Sequence, residues 1–303
     1  MDDRPDPART AAAIARMARG ASIEVSVRSP QVVSDCAQWL APGTEVFISM
    51  VPGQTYHQSA QLAHALARAG FVPVPHVTAR TLVDTAMAGD VFARLAGAGA
   101  RRVLVLGGDR AVPAGHLDSA LALLQSGALA GAAVERVYMA GYPDGHPAIP
   151  EAVLEEHLAR KLALCAERGW EAGVVTQFTF EAQRLGDWLD RVAARHPGVR
   201  LVASAAGPAG VGTLLRYAAR CGVRASLDTF ARHADRFLRV LSDAGPEALV
   251  HALAQREAAG AAPTDLHLFS FGGTARTARW RRAVAAGAFD LHPAGDTFAV
   301  RPV

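Results

Sequence analysis

The stretch EVFISMVPGQTYHQSAQLAHALARAGFVPVPH, residues 45–76, decides the fold. It begins with an apolar run at Glu45–Met50 and ends with another at Phe71–His76, and both runs have the composition of buried parallel strands. Between them, Gln58–Arg68 carries apolar residues at intervals of three and four, which predicts an α-helix. A strand, a helix and a strand in this order predict a crossover unit in a parallel sheet.

The same unit recurs along most of the chain. Eight strands in alternation with helices favour a closed (β/α)8 TIM barrel over an open sheet, and a chain of 303 residues suits one barrel domain over residues 1–303. The six further predicted strands are Ser22–Val27, Arg102–Leu106, Arg136–Ala140, Gly173–Gln177, Arg200–Ser204 and Leu266–Ser270. The further predicted helices are Leu82–Leu95, Leu117–Leu124, Glu151–Arg168 and Glu181–Ala194.

The alternation is interrupted once, between the seventh and the eighth predicted strands. Residues 207–263 contain no strand pattern, but helical spacing recurs at Val211–Arg220, Leu227–Asp243 and Pro246–Ala259. We therefore predict extra helices on the barrel rather than a second domain. The tail beyond Trp280 is expected to close the last helix.

Composition excludes several classes of protein. The net charge is only +3 and the basic residues are scattered, which argues against a nucleic-acid-binding surface. Three widely spaced cysteines predict reduced thiols rather than disulfides or a zinc site. The N-terminus lacks the apolar core of a secretory signal and no uncharged apolar run reaches the ~18 residues of a membrane span. We expect a soluble, cytoplasmic protein without a membrane partner, and leave a homo-oligomer open.

Polar residues at strand ends are the candidate site, because the chemistry of a parallel barrel lies where its strands end. Glu24 interrupts the first strand, and a carboxylate there needs a partner or a raised pKa. With a raised pKa it would be a general acid; otherwise it is a structural residue bonded to a neighbouring strand or to Arg28. His76 ends the third strand, two residues before Thr78, and is either a ligand donor or a satisfied structural histidine.

Two loops add further candidates. Gly107, Gly108 and Asp109 follow the fourth strand and form either a tight turn or a close approach to a ligand. The dinucleotide fingerprint GxGxxG is absent there. The loop AGYPDGHPAIP after the fifth strand carries Tyr142 and His146, which turn chemistry alone does not explain.

Two more positions stand out. Thr176 and Gln177 end the sixth strand with a hydroxyl and an amide that need partners if they are buried. Lys161 is the only lysine among the 31 lysine and arginine residues. Chance and a functional role both remain open for it.

Together these residues resemble the methylenetetrahydrofolate reductases, which are flavin-dependent (β/α)8 barrels. The resemblance runs in order from Glu24 to about Arg276. Its most specific pieces are PHVT at 75–78, GD at 108–109, YPDGHP at 142–147, RK at 160–161, TQF at 176–178 and HLFS at 267–270.

The resemblance implies a role for each matching residue. Glu24 would be the general acid that protonates a folate nitrogen as the five-membered ring opens, Asp109 would assist folate binding, and Gln177 would contact substrate and nicotinamide. FAD would be surrounded by His76, Thr78, Gly107, Gly108, Asp109, Tyr142, His146, His157, Arg160 and Lys161. The substrate would contact Gln177, Phe178, Tyr217 and Arg276.

The implied reaction is a hydride relay without a metal ion. Reduced nicotinamide, NADH or NADPH, would reduce FAD, and the flavin would then reduce 5,10-methylenetetrahydrofolate to 5-methyltetrahydrofolate. The protein would supply orientation and a proton.

The chain also departs from the family pattern. Gly107 occupies a position where the family usually has arginine, and Phe271–Arg276 replaces an Asn-Arg pair that holds the folate tail. These differences keep two alternatives open, a reductase without bound flavin and a folate-binding or methyl-transfer partner that lacks the redox step. A barrel lyase or aldolase is the fourth hypothesis, but it would usually need a lysine on a strand or a metal cluster.

Overall fold

The structure is a computed structural model that describes residues 5–220 and 245–301. Eight parallel strands form a closed barrel in chain order, with β1 paired to both β2 and β8. The predicted (β/α)8 barrel and all eight predicted strands are therefore confirmed. The strands are β1 (Ser22–Ser26), β2 (Glu45–Ser49), β3 (Val72–Thr78), β4 (Arg102–Leu106), β5 (Arg136–Gly141), β6 (Glu171–Thr176), β7 (Arg200–Ala206) and β8 (Asp265–Phe269).

The helices surround this barrel and follow the predicted spacing. The helices α1 and α2 were not predicted from the sequence; α1 packs against α9 and α10. The described helices are α1 (Pro7–Gly20), α2 (Val32–Trp39), α3 (Tyr56–Arg68), α4 (Thr85–Gly97), α5 (Ala120–Gln125), α6 (Glu151–Arg168), α7 (Ala182–Arg195), α8 (Val211–Arg220), α9 (Glu247–Ala258) and α10 (Thr274–Ala285).

The connection between β7 and β8 contains the predicted extra helices. Two of them, α8 and α9, are present where one helix would complete a regular unit. The third, predicted at Leu227–Asp243, lies outside the described residues. After α10 the chain forms an antiparallel hairpin of β9 (Phe289–Leu291) and β10 (Phe298–Val300), which the sequence did not predict.

The barrel interior is filled by side chains from alternate strand positions. Above a middle layer of apolar side chains lies the polar end of the barrel, and below it lies a charged network at the amino ends of the strands. The middle layer consists of Phe47, Val74, Leu104, Tyr138, Val175 and Val202.

The charged network closes the amino end of the barrel. Buried Glu45 accepts hydrogen bonds from Arg102 at 2.6 Å and from the Tyr138 hydroxyl at 2.7 Å, and Arg200 lies 3.2 Å away. Arg200 also pairs with Asp265 at 2.7 Å. This end is therefore a closed structural layer, which leaves the carboxyl ends of the strands for a ligand.

Two further features concern the chain as a whole. Cys36 and Cys165 are buried free thiols. None of the helices within the described ranges combines the length and the apolar character needed to cross a membrane.

Candidate functional site

A cavity of about 2330 Å³ opens at the carboxyl ends of the barrel strands. It exceeds the ~300–1,000 Å³ of an ordinary ligand pocket, so it has room for more than one ligand. Most of the residues predicted from the sequence lie on its wall. These are Glu24, His76, Thr78, Gly107, Gly108, Asp109, Tyr142, His146, His157, Lys161, Gln177 and Tyr217.

Glu24 lies on the cavity wall between two imidazoles. Its Oε2 atom is 3.4 Å from Nε2 of His76 on β3 and 3.8 Å from Nε2 of His267 on β8. Burial lowers the pKa of His76, with Glu24 acting in the opposite direction and His267 adding to the decrease. The buried Nε2 atom of His76 has no hydrogen-bond partner, so the cluster retains an unused polar atom.

His267 belongs to the HLFS motif, but the sequence reasoning gave it no role in the site. Its Nδ1 atom lies 2.9 Å from the hydroxyl of Ser22, which fixes the ring while Nε2 faces Glu24. The available signal was the alternation of Asp265, His267 and Phe269 along β8, because inward positions of a barrel strand recur with a period of two.

Arg28, one of the two structural partners considered for Glu24, does not pair with it. Arg28 donates to the carbonyl oxygen of Pro52 at 2.6 Å instead of pairing with Glu24. The main-chain oxygen of Glu24 accepts a hydrogen bond from the Ser270 hydroxyl, but that bond leaves the carboxylate to the two imidazoles.

A second group forms around Asp109 on the opposite side of the cavity. The rings of Tyr142 and His146 meet edge to face with centroids 5.4 Å apart. Burial, followed by the charge of Asp109, raises the pKa of Tyr142. Burial lowers the pKa of His146 against the opposing effect of Asp109. The charge of Asp109 therefore acts on the pKa values of both Tyr142 and His146.

Gly108 and Thr78 have structural roles at the cavity edge. Gly108 has a φ of 95°, and a Cβ atom there would lie 3.1 Å from Cβ of Thr78, so the turn requires glycine. The Thr78 hydroxyl lies 3.1 Å from the Tyr56 hydroxyl and 2.9 Å from that of Thr81. The Thr78 hydroxyl is thus hydrogen-bonded within the protein.

Arg80 fixes the loop that follows Asp109, a role that sequence reasoning missed. Its guanidinium donates to the carbonyl oxygens of Arg110 at 2.6 Å, Ala111 at 2.6 Å and Asp118 at 3.0 Å. No local pattern could have indicated it, because the contacts span 30 to 38 residues.

Lys161 and His157 lie one turn apart on α6, and both line the cavity. Lys161 is only 8% exposed, and burial lowers its pKa to about 8. Neighbouring Cys165 partly opposes this decrease. No carboxylate of the described residues pairs with Lys161, so an anionic ligand would meet a desolvated cation.

An aromatic wall borders Gln177 on the β7–β8 side. Tyr217 stacks on Phe271 with centroids 4.1 Å apart, and Phe271 lies 5.2 Å from Phe269. Phe178 packs behind this wall and is fully buried.

The structure leaves three of the predicted residues off the cavity wall. Phe178 supports the aromatic wall from behind and does not reach the cavity. Arg160 is exposed and pairs with Glu156 at 3.1 Å. Arg276 is exposed on α10 and does not line the cavity. These three residues do not line the cavity, so a ligand in the cavity would contact other side chains. Among the described residues, no group of three or more His, Cys, Asp or Glu side chains could hold a metal ion.

Comparison with known proteins adds little beyond this geometry. No protein-family model matches the chain. A Mycobacterium tuberculosis tryptophan synthase structure superposes with a TM-score of 0.49 and 12% sequence identity over 92% of this chain and 97% of that chain. An open form of the same organism's tryptophan synthase gives a TM-score of 0.47 and 13% identity over 92% and 98%. At these values, neither likeness carries an argument about this chain.

Proposed function

We propose that this chain is a flavin-dependent reductase that converts 5,10-methylenetetrahydrofolate to 5-methyltetrahydrofolate with NADH or NADPH. The observation that carries the proposal is the carboxylate of Glu24, held on the cavity wall beside His76 and His267. Reduction of this substrate needs a proton donor beside the reacting folate, and a carboxyl group between two imidazoles suits that task.

In this proposal Glu24 donates a proton to a folate nitrogen as the five-membered ring opens. The two imidazoles lie beside the carboxyl group, with their Nε2 atoms 3.4 Å and 3.8 Å from Oε2, and the His267 ring is fixed by Ser22. The Nε2 atom of His76 has no hydrogen-bond partner, so it can accept a proton from Glu24 or return one to it during turnover.

The residues present fit FAD. Lys161 supplies a desolvated cation without a carboxylate partner, which suits the diphosphate of the cofactor. Tyr142 offers a ring, and the turn at Gly107 and Gly108 exposes main chain on the same wall. The residues that would hold FAD are His76, Gly107, Gly108, Asp109, Tyr142, His146, His157 and Lys161. When bound, FAD supplies the exchange of a hydride between nicotinamide and the one-carbon unit of the folate.

The remaining residues orient the second ligand. Gln177 lines the cavity, and its Oε1 accepts from the main-chain N–H of Phe178 at 3.1 Å, so its amide nitrogen can donate to a ligand. The cavity is large enough for nicotinamide and folate to bind in turn on the side lined by Gln177.

The test is a visible spectrum of the purified protein before and after addition of FAD, followed by anaerobic assays. We expect a flavin absorption band, bleaching by NAD(P)H, and reoxidation only when methylenetetrahydrofolate is added. Folate-dependent NAD(P)H oxidation by a protein that never binds flavin would refute the flavin step. Bleaching without any folate-dependent reoxidation would refute the folate step.

A further inference from the structure

We propose that Ser22 and His267 form a positioning pair for the Glu24 carboxyl group, and that the pair directs the Oε1 atom of Glu24 toward the reacting ligand. The inference rests on the proposed function and gives a task to two residues that function does not use directly. The pair acts through Glu24, whose carboxyl group is the proton donor in the proposed reaction.

The strand register brings the three side chains together. In the pairing of β1 with β8, Ser22 lies opposite His267. Glu24 lies two residues after Ser22 on the same strand, so both side chains point to the same face of that strand. The Ser22 hydroxyl lies 2.9 Å from Nδ1 of His267, and Nε2 on the other side of the ring lies 3.8 Å from Oε2 of Glu24. One imidazole therefore links the two residues of β1.

The imidazole of His267 has little freedom to turn. The ring of Phe47 packs against it with centroids 4.6 Å apart, and the ring of Phe269 packs against it with centroids 5.0 Å apart. The side chain of His267 is buried, and Ser22 is buried beside it. Because the ring is enclosed and also bonded at Nδ1, the direction of Nε2 is set by the protein before a ligand binds.

The Ser22 hydroxyl suits this imidazole because a hydroxyl both donates and accepts hydrogen bonds. It can donate to Nδ1, which leaves the ring proton on Nε2 to face an ionised carboxylate. It can instead accept from Nδ1–H while it donates to the carbonyl oxygen of Leu266 at 3.4 Å, which leaves the Nε2 lone pair to face a protonated carboxyl group. A neutral His267 held by Ser22 therefore complements Glu24 both before and after Glu24 has lost its proton.

The two imidazoles leave one carboxyl oxygen for the ligand. His76 on β3 faces the same atom as His267, Oε2, at 3.4 Å. These are the titratable side chains that face Glu24 within the described ranges, since Ser49 on the intervening strand β2 donates to the carbonyl oxygen of Val25 at 3.0 Å. Oε1 has no hydrogen-bond or ion-pair partner in that part of the chain, and Glu24 lines the cavity. The geometry thus presents Oε1 to the ligand.

A matched control lies on the other side of His267. In the pairing of β7 with β8, Ser204 lies opposite His267, as Ser22 does on β1. Ser204 is fully buried, but its hydroxyl has no hydrogen-bond partner among the described residues. Ser204→Ala therefore removes a buried hydroxyl from the neighbouring strand without removing a bond to the imidazole.

The test measures both half-reactions by stopped flow in the flavin-loaded protein. We expect Ser22→Ala to slow reoxidation of reduced flavin by methylenetetrahydrofolate by about tenfold, because one positioning bond is lost in the transition state. Flavin reduction by NAD(P)H and the dissociation constant of the folate should stay within about twofold of wild type, because neither depends on the direction of the carboxyl group. His267→Gln should slow reoxidation at least as much as Ser22→Ala, and Ser204→Ala should change none of these quantities.

Two further measurements separate positioning from a general loss of structure. Adding Ser22→Ala to Glu24→Gln should not slow reoxidation further, because the pair acts through that carboxyl group. Independently of turnover, nitrogen NMR of the His267 ring should show a changed proton distribution between Nδ1 and Nε2 in Ser22→Ala and an unchanged one in Ser204→Ala.

The outcomes distinguish this inference from the proposed function. Equal losses of rate in Ser22→Ala and Ser204→Ala, additive losses with Glu24→Gln, or an unchanged His267 spectrum in Ser22→Ala would overturn the positioning role while folate reduction by the wild type persists. A wild-type protein that reduces no folate overturns the proposed function, and the positioning role with it.

Discussion

The Nε2 atom of His76 lies 3.4 Å from Oε2 of Glu24, and the imidazole is otherwise buried without a partner for that nitrogen. Burial lowers the pKa of His76, and the Glu24 carboxylate opposes the decrease. The charge on Glu24 therefore changes the proton affinity of the His76 imidazole.

Glu24→Gln should remove the proton donor without changing the shape of the cavity. We expect folate reduction to fall by roughly 100-fold or more, the usual contribution of a positioned general acid. Reduction of bound flavin by NAD(P)H should keep its rate, because that half-reaction needs no proton from Glu24. Stopped-flow measurement of the two half-reactions separates these outcomes, and near-wild-type folate reduction would contradict the assignment.

The same variant offers a control that does not depend on turnover. Without the carboxylate, the opposing effect on His76 disappears, so the pKa of His76 should decrease further. An NMR titration of the histidine ring signals measures this directly. A His76 titration that does not move would show that the carboxylate and the imidazole are not in contact in solution.

The sequence predicted the barrel because each buried strand is a short apolar run and each helix has its own spacing, both of which are local signals. It also indicated Glu24, His76 and Gln177, since polar residues at the ends of apolar strands are visible in one dimension. It gave His267 no role and could not indicate which cations are already used. Those facts depend on contacts between strands or loops that are distant in the chain.

The charged layer at the amino end of the barrel should govern stability rather than ligand binding. Glu45→Gln should lower the free energy of unfolding at pH 7 by about 3 kcal/mol, because it removes one partner of a buried ionic network. Chemical denaturation measures the change. Glu171→Gln is the control, because the side chain of Glu171 is 63% exposed and its pairing with Arg136 should contribute less than about 1 kcal/mol.

The pH dependence of the stability difference between wild type and Glu45→Gln tests the ionic pairing of Glu45. Burial alone would raise the pKa of Glu45, but Arg200, Tyr138 and Arg102 hold it below the ordinary 4.5. The contribution of Glu45 is therefore present above pH 4.5 and is lost as the pH falls through the lowered value. The stability difference between wild type and Glu45→Gln should shrink in that acidic range, and a constant difference would argue against ionic pairing.

Lys161→Met should separate stability from cofactor binding. The pKa of Lys161 falls from 10.5 to about 8, so the unfolded chain binds its proton more tightly and wild-type stability rises with pH between these values. At pH 7 the variant should be more stable by up to about 3 kcal/mol, yet bind FAD more weakly. Denaturation curves from pH 7 to 10 and FAD titrations measure both; parallel stability profiles for the two proteins would contradict the burial of a charged lysine.

Arg80→Met should release the loop after Asp109. Three hydrogen bonds from the guanidinium to carbonyl oxygens of residues 110, 111 and 118 disappear, so amide hydrogen exchange in this loop should accelerate. Because Asp109 opposes the lowering of the His146 pKa, its displacement should let that pKa decrease further. Asp109→Asn should produce the same decrease by removing the charge itself.

These two changes act through one carboxylate, so the double variant should lower the pKa of His146 no further than Asp109→Asn alone. NMR titration of His146 in the four proteins completes the cycle. Arg101→Met is the arginine control, because Arg101 also donates to a carbonyl oxygen, that of Ala133, but does not line the cavity. Additive decreases would show that Arg80 acts on His146 independently of Asp109. Strict non-additivity would identify Arg80 as a positioning residue, because loss of stability alone would not move the titration of a folded histidine in step with one specific charge.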